Sequence, residues 1–268
     1  MQYDLKDMAD KVITSVCDGY EPLVLKNFFD VNKPLLYIAS DGVSLAQTAS
    51  MLHFMFPEVK VLEFPAWDTV PYDRVSPNSA IIAKRVDTLS QIVFNEGKQP
   101  LAVITSIGAV LQKLPPAKIF KNARRTVKVG EKLNFDDFLH YIVINGYTRV
   151  EQVMEAGEYA VRGDITDIFP SGVENPLRID LFDDEVERIR FFDAVSQRTI
   201  GELKEYSFQV AGEVVPDKRT INCFREKYRE YFGADGMYDE IYEAVSDGRK
   251  YMGMENWLPL FYEDSLPV

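Results

Sequence analysis

One stretch of sequence decides the fold of the second half of the chain: YAVRGDITDIFPSGVENPLRIDLFDDEVERIRFFD, residues 159–193. Apolar and polar residues alternate in YAVRGDITDIF, LRIDLF and VERIRFF, and this alternation is typical of half-buried β-strands. The connections PSGVENP and DDE are rich in turn-forming residues, so consecutive strands are predicted to pair in an antiparallel sheet. We interpret the DD pair as a hairpin turn rather than a magnesium site, because short strands flank it on both sides.

The outer face of these strands carries an unusual set of residues. Since side chains alternate across a strand, LRIDLF turns Arg178 and Phe182 outward. In VRGDI the same rule places Val161 and Ile165 inward and Arg162 outward. An outward ring beside two guanidinium groups has two interpretations. The strands could present an ordinary solvated face with one misplaced ring. They could also present a binding surface, because arginine and aromatic residues are frequent interface anchors. The alternation leaves both interpretations open.

Catalytic residues have weaker support in the sequence than a binding surface. A catalytic carboxylate pair could be drawn from a generic set of acidic residues: Asp164, Asp167, Asp180 and Asp183. The histidines His53 and His140 are predicted to lie on the apolar sides of helices, where a packed histidine is more common than a catalytic base. We therefore predict no catalytic residue, no metal site and no cofactor.

Working outward, the quoted stretch belongs to a predicted α+β domain over residues 118–211. A strand-like TVKV precedes the helix NFDDFLHYIVIN, which is capped near Asn134 and ends at Gly146. The strand-like YTRVEQVM follows, before Tyr159. An antiparallel sheet with a helix on one side is the expected architecture.

Residues 1–117 follow a different pattern, in which strands alternate with helices. The strands PLLYIAS, VKVLEF and LAVITS are continuously apolar, which predicts an α/β domain with a parallel sheet covered on both faces, similar in layout to P-loop NTPases. A phosphate-binding loop needs several glycines followed by Lys and a hydroxyl. The loop IASDGVS has one glycine, an aspartate and no lysine, so the nucleotide site is predicted to be degenerate. Asn78 or Ser79 is expected to cap the helix after the proline-rich PAWDTVPYDRVSPN.

Residues 212–268 are predicted to be helical and to begin a further subdomain. The aromatic residues of CFREKYREYF recur at helical spacing, and core packing is their default explanation. The end of the chain has no terminating device, so the sequence is expected to continue in the natural protein.

Charge and composition restrict the possible partners. Lys and Arg number 30 against 42 Asp and Glu, a net charge of -12 that repels DNA and anionic lipid unless one face reverses it. Cys17 and Cys223 show no disulfide or zinc spacing, which suits a reducing cytoplasm. The longest apolar run, LAVITSIGAVL, is too short to span a membrane. A cytoplasmic protein without membrane association is expected.

The run GYTRVEQVMEAGEYAVRGDITDIFPSGVENPLRIDLFDDEVERIRFFDAVSQRT resembles the second domain of the bacterial transcription-repair coupling factors, the Mfd family, a module shared with the excision-repair protein UvrB. Upstream, LEFPAWDTVPYDRVSPNSAIIAKRVDTL is similar to the first domain of the family, and MENWLPLFYEDSLP is similar to the start of its next segment. The resemblance covers nearly the whole chain.

The resemblance implies that the second domain binds UvrA. The family contacts are an Arg before a Gly, an Arg in the following strand and a Phe four residues later, which match Arg162, Arg178 and Phe182. Each arginine is then expected to offer a planar fork to carboxylates on UvrA, and Phe182 to enter an apolar pocket. All three side chains are expected to point away from the core, so that truncating them changes folding little.

The resemblance also implies what this chain does not do. UvrB carries a working phosphate loop and a DNA-clamping hairpin, whereas only PAWDTVPYDRVSP fills the place of that hairpin here. The implied function is an interaction module, the N-terminal part of a coupling factor that recruits UvrA to stalled RNA polymerase without an ATPase of its own. RNA polymerase and DNA would bind to regions C-terminal to this chain, and a C-terminal domain would mask the UvrA-binding face. The alternative is an ATP-binding, helicase-like half of the UvrB type.

Overall fold

A computed structural model describes residues 12–71, 73–263 and 266–267 of the chain. The strands, in chain order, are β1 Leu35–Ala39, β2 Lys60–Phe64, β3 Leu101–Ser106, β4 Lys113–Leu114, β5 Arg125–Lys128, β6 Thr148–Arg149, β7 Glu158–Arg162, β8 Ile165–Ile168, β9 Leu177–Phe182, β10 Glu185–Phe192, β11 Thr199–Leu203, β12 Glu205–Phe208 and β13 Leu266–Pro267. The α-helices are α1 Glu21–Leu25, α2 Gly42–Met55, α3 Ser79–Val93, α4 Ile107–Val110, α5 Lys118–Ala123, α6 Phe135–Ile144, α7 Lys218–Phe232, α8 Glu240–Ser246 and α9 Leu258–Phe261. Short 3-10 helices cover Lys26–Phe28, Asp235–Tyr238 and Met254–Trp257.

These elements form two compact units. The first unit comprises the described residues up to Ala66 together with Phe94–Gln112, and the second comprises Trp67–Val93 and Lys113–Pro267. Helix α3 therefore belongs to the second unit. The three domains predicted from the sequence, 1–117, 118–211 and 212–268, stay a prediction, since compactness alone does not define an evolutionary domain.

The first unit contains a three-stranded parallel sheet in the order β1-β3-β2. Helix α2 contributes Leu45, Ala49 and Leu52, spaced three and four residues apart, to the core on one face of this sheet. The predicted parallel sheet is confirmed. The prediction that it is covered on both faces is wrong at β1, where Leu36 and Ile38 are exposed, because β1 is an edge strand and its second face is open.

The second unit is built on a six-stranded sheet in the order β11-β10-β9-β8-β7-β6. Its neighbouring strands are antiparallel, except that β6 and β7 run parallel. Helix α6 lies on one face, where Phe138 and Ile142 join the strand residues Tyr159, Ile168 and Ile179 in a buried core. The predicted antiparallel sheet with a helix on one side is confirmed.

The predicted ends of α6 are also confirmed. Asn134 Oδ1 accepts a hydrogen bond from the amide of Asp137 at 3.0 Å, and Gly146 follows the helix with a φ of 89°. The prediction for the two histidines is wrong. His140 and His53 are both exposed, because each lies beside the buried stripe of its helix rather than within it.

Two predicted strands take other forms. YAVRGDITDIF is a hairpin rather than one strand, because the chain turns at Gly163, with a φ of 59°, and Asp164. The strand expected over YTRVEQVM is reduced to the two residues of β6, and the chain then turns before Gly157, whose φ is 89°. Strands β11 and β12 follow the quoted stretch and were not predicted.

Helix α3 and the loop before it are anchored by a buried ion pair. Arg85 is fully buried, and its Nη2 lies 3.0 Å from Glu213 Oε2. The indole N–H of Trp67 donates to Glu213 Oε1 at 3.0 Å, and the Trp67 ring lies 5.0 Å from the Arg85 guanidinium. Asn78 Oδ1 accepts from the amide of Ala80 at 2.9 Å, so the predicted cap by Asn78 is confirmed.

Helices α7, α8 and α9 share a third core that is rich in aromatic rings. Phe224 and Tyr228 of α7 are buried in it, and Trp257 packs 5.6 Å from the Tyr228 ring. Core packing of the α7 stripe is thus confirmed for these two rings, while Tyr231 is exposed. Within the described part of the chain, no helix has both the length and the apolar character needed to cross a membrane.

Candidate protein-interaction site

The candidate site lies on the face of the six-stranded sheet that is turned away from α6. Directly opposed residues of an antiparallel pair share a face. Arg162 is opposite Ile165, Asp167 is opposite Arg178, and Arg178 is opposite Arg190. We call this surface the arginine face, and its members are Arg162, Ile165, Asp167, Arg178, Asp180, Phe182 and Arg190.

A buried carboxylate lies at the centre of the arginine face. Asp167 is 2% exposed, and both of its oxygens accept hydrogen bonds from Arg178, at 2.6 Å from Nε and 2.8 Å from Nη2. Arg162 adds a third bond, from Nη2 to Oδ2 at 3.2 Å. Bidentate arginine–carboxylate pairs are among the strongest hydrogen bonds in proteins. Asp167 therefore holds the two arginines together.

Arg178 is more enclosed than the sequence predicts. Its side chain is 17% exposed, its guanidinium lies 4.3 Å from the Phe192 ring, and Nη2 also donates to Gln197 Oε1 at 2.9 Å. The hydrogen bond to Asp167 raises the pKa of Arg178, while burial opposes the rise. Arg178 lies on the face turned away from the core, but Asp167 already occupies its planar fork, so truncating Arg178 should cost stability, contrary to the expectation that folding changes little. Its contact with a partner stays a prediction.

Phe182 and Arg162 are the accessible members of the predicted trio. Phe182 is 70% exposed and ends β9, directly before the two-residue turn of Asp183 and Asp184. The φ values of these aspartates, 46° and 64°, are those of the tight turns that connect antiparallel strands. The hairpin predicted for the DD pair is thus confirmed. Arg162 keeps about half of its side chain in solvent, so the two groups are available to a partner.

The charged groups of the arginine face are matched by neighbours on the same face. Arg162 and Arg178 share Asp167, and directly opposed residues place Arg188 at Asp180, Glu185 at Phe182 and Glu202 at Arg190. The charges are fixed in place, since Arg190 Nη2 donates to Asp180 Oδ2 at 2.5 Å. A surface with its arginines already arranged suits a partner with acidic groups.

Three of the four generic acidic residues have other roles in the sheet. Asp167 and Asp180 each pair with arginine, and Asp183 and Asp184 form a turn. Among the residues that the structure describes, no group of three or more His, Cys, Asp or Glu is placed to hold a metal ion. Sequence reasoning treated Asp167 only as one of these acids and missed its central position.

The loop IASDGVS places an acid at the start of α2. Asp41 Oδ1 accepts a hydrogen bond from the Ser44 amide at 2.8 Å, and the Ser40 hydroxyl donates to Oδ2 at 3.0 Å. The bond from the Ser44 amide lowers the pKa of Asp41. The Asp41 carboxylate thus binds a helix amide that a phosphate would otherwise approach.

Comparison with known proteins places the arginine face within a described domain. Residues 126–213 match the family described as the UvrB interaction domain. The transcription-repair-coupling factor of Escherichia coli K12 is 36% identical over 237 residues, which are 87% of this chain and 20% of that protein. The Haemophilus influenzae factor is 33% identical over 255 residues, 95% of this chain and 22% of that protein.

A more distant factor, from Bacillus subtilis, is 26% identical over 250 residues, 87% of this chain and 21% of that protein. The chain thus spans about a fifth of the length of the relatives that it matches. Residues 126–213 therefore belong to the UvrB interaction domain family, and the chain as a whole is a homologue of part of the transcription-repair-coupling factors.

Proposed function

We propose that this chain is a protein-interaction module that recruits UvrA to stalled RNA polymerase for nucleotide excision repair. The observation that carries the proposal is the exposed ring of Phe182 on the same sheet face as the half-exposed Arg162, inside residues 126–213. An aromatic anchor with an arginine beside it is a common centre of protein interfaces. The arginine face is then where UvrA binds, with Phe182, Arg162 and Arg178 as the site residues.

We propose that residues 1–117 form a P-loop-like domain that has lost its nucleotide site, so that this chain has no ATPase activity. Two features support this: the loop IASDGVS has no lysine, and Asp41 occupies the Ser44 amide. The alternative is an ATP-binding, helicase-like half. Equilibrium dialysis with labelled ATP and Mg²⁺ separates the two, since saturable binding at submillimolar nucleotide would support the alternative.

We place this module in the N-terminal part of a cytoplasmic coupling factor. RNA polymerase and DNA are then bound by regions C-terminal to it, and residues 212–268 begin the next helical subdomain. We also propose that a C-terminal domain masks the arginine face in the full-length protein. The apparent affinity of the full-length protein for UvrA would then be the affinity of this chain multiplied by the fraction of molecules in which the arginine face is unmasked.

Direct binding to UvrA tests the proposed function. Truncating the Phe182 ring by Phe182→Ala should weaken binding by about 2 kcal/mol, or about thirty-fold, if the ring fills a pocket. Phe54→Ala is the matched control, because Phe54 is also an exposed ring but lies on α2 of the first unit. Equal affinities of the Phe182 and Phe54 variants, measured by calorimetry, would refute the proposed site.

A further inference from the structure

Ile165 is an exposed apolar residue on the arginine face. The hairpin turn at Gly163 places it opposite Arg162 on β7, while on its other side it is opposite Asp180 of β9. Its side chain is 38% exposed and is absent from the core beneath the sheet, whereas Ile168 of the same strand is buried there. The core does not account for the apolar character of Ile165.

Ile165 lies next to Phe182. Phe182 follows Asp180 by two residues and so has the same orientation on β9. Diagonal neighbours of this kind on an antiparallel pair lie about 7–8 Å apart, within reach of an aromatic side chain. The two side chains together form a larger apolar area than either provides alone.

We propose that Ile165 and Phe182 form one apolar contact strip for UvrA, with Ile165 as an additional contact residue. This inference rests on the proposed function. Interface centres combine an aromatic anchor with neighbouring contacts that exclude water. The strip fits a partner surface with an apolar socket and an acidic residue next to it, since Arg162 lies beside Ile165.

The position of the charged groups supports this assignment. Arg162 is tied to Asp167, and Asp180 is tied to Arg190. The polar residues on both sides of Ile165 are therefore held by bonds within the sheet, and little side-chain entropy remains to be lost on binding. The partner then closes on a surface that is already arranged.

The test replaces Ile165 by a residue of similar shape. Ile165→Thr keeps the β-branched side chain, so β-propensity is preserved while the apolar surface becomes polar. Binding of UvrA by this variant should be weaker by about five-fold. The matched control is Ile200→Thr, because Ile200 is also an exposed isoleucine of the same sheet but lies on β11, an edge strand.

Each outcome decides between the proposals. If the wild-type chain does not bind UvrA, the proposed function and this inference both fail. If Phe182→Ala weakens binding but Ile165→Thr binds like the wild type and Ile200→Thr, this inference alone fails. It also fails if Ile165→Thr unfolds at a clearly lower urea concentration than Ile200→Thr, since Ile165 would then be a core residue.

A double variant at Ile165 and Phe182 tests whether the two side chains contact the same partner surface. A purely structural role of Ile165 would not couple the two effects on UvrA affinity. If Ile165 and Phe182 contact the same socket, the effect of Ile165→Thr on UvrA affinity should shrink when Phe182 is already alanine. Strictly additive effects would show two unrelated contacts and overturn the single strip.

Discussion

The pairing of Asp167 with Arg178 makes a strong prediction about stability. Asp167→Asn removes the buried negative charge and leaves Arg178, which is 17% exposed, without its carboxylate. Breaking one side of a buried pair costs about 3–5 kcal/mol, and the partial exposure of Arg178 favours the lower end, about 3 kcal/mol. Two short hydrogen bonds, at 2.6 and 2.8 Å, are weakened at once. Urea unfolding followed by circular dichroism at pH 7 measures the loss.

The same reasoning applies to Arg178→Ala, which leaves the buried Asp167 with only the 3.2 Å bond from Arg162 and should destabilise the fold by a similar amount. The double variant Asp167→Asn/Arg178→Ala removes both charges of the pair. It should lose clearly less stability than the sum of the two single changes, since no buried charge is left without a partner and Arg162 is half exposed. A loss below about 1 kcal/mol for Asp167→Asn, or strict additivity, would refute the reasoning.

Three further predictions concern other parts of the chain. Burial raises the pKa of Glu255 above its ordinary value of 4.5, so wild-type stability should fall as pH rises from 4.5 through the raised pKa. Glu255→Gln should abolish this loss of stability, and its amide oxygen can still accept the hydrogen bond from Ser76. The melting temperature of the variant should therefore exceed that of the wild type by an amount that grows as pH rises above 4.5 and disappears below that pH. Gly253→Ala should destabilise strongly because a Cβ would lie 2.5 Å from Asp73 O, whereas Gly130→Ala, with a similar positive φ and open space, should cost about 1 kcal/mol in a urea titration. At -12 net charge, the isolated chain should not shift duplex DNA in a gel at physiological salt, and a salt-sensitive shift at micromolar protein would contradict this.

Local patterns in the sequence predicted most of the regular structure. Continuous apolar runs gave β1, β2 and β3, and the signals at Asn134 and Gly146 gave the ends of α6. Such signals act within a few residues and do not depend on the rest of the fold. The two-residue β6 and the unpredicted β11 are edge strands with little apolar alternation, and the unpredicted β12 pairs with β5, far earlier in the chain, so no local pattern marks them.

The error at Ile165 has a specific geometric cause. Within one continuous strand, Val161 and Ile165 would share a face, because they are four residues apart. A two-residue turn instead makes Val161 the partner of Thr166 and Arg162 the partner of Ile165. The turn therefore places every residue of β8 on the face opposite the one that a continuous strand would give it, and Ile165 becomes exposed.

The burial of Asp167 could not be predicted from its own strand. With Val161 and Ile165 inward, alternation would place Asp167 inward too, whereas the turn puts it on the face away from α6, where an aspartate is normally solvated. It is buried because Arg178 from β9 covers it, and Arg178 is in turn packed against Phe192 from β10. Three strands contribute to this arrangement, and their register is known only from the folded structure.

The anchoring of Trp67 has a practical consequence for spectroscopy. Trp67 and Trp257 are the two tryptophans of the chain, and both lie in the second unit. Trp67 is bonded to Glu213 and stacked near Arg85, so its emission should change when this buried pair opens. Intrinsic tryptophan fluorescence thus reports the second unit selectively, whereas circular dichroism reports the helices and strands of both units. Comparing the two signals during denaturation would show whether the units unfold in one step or independently.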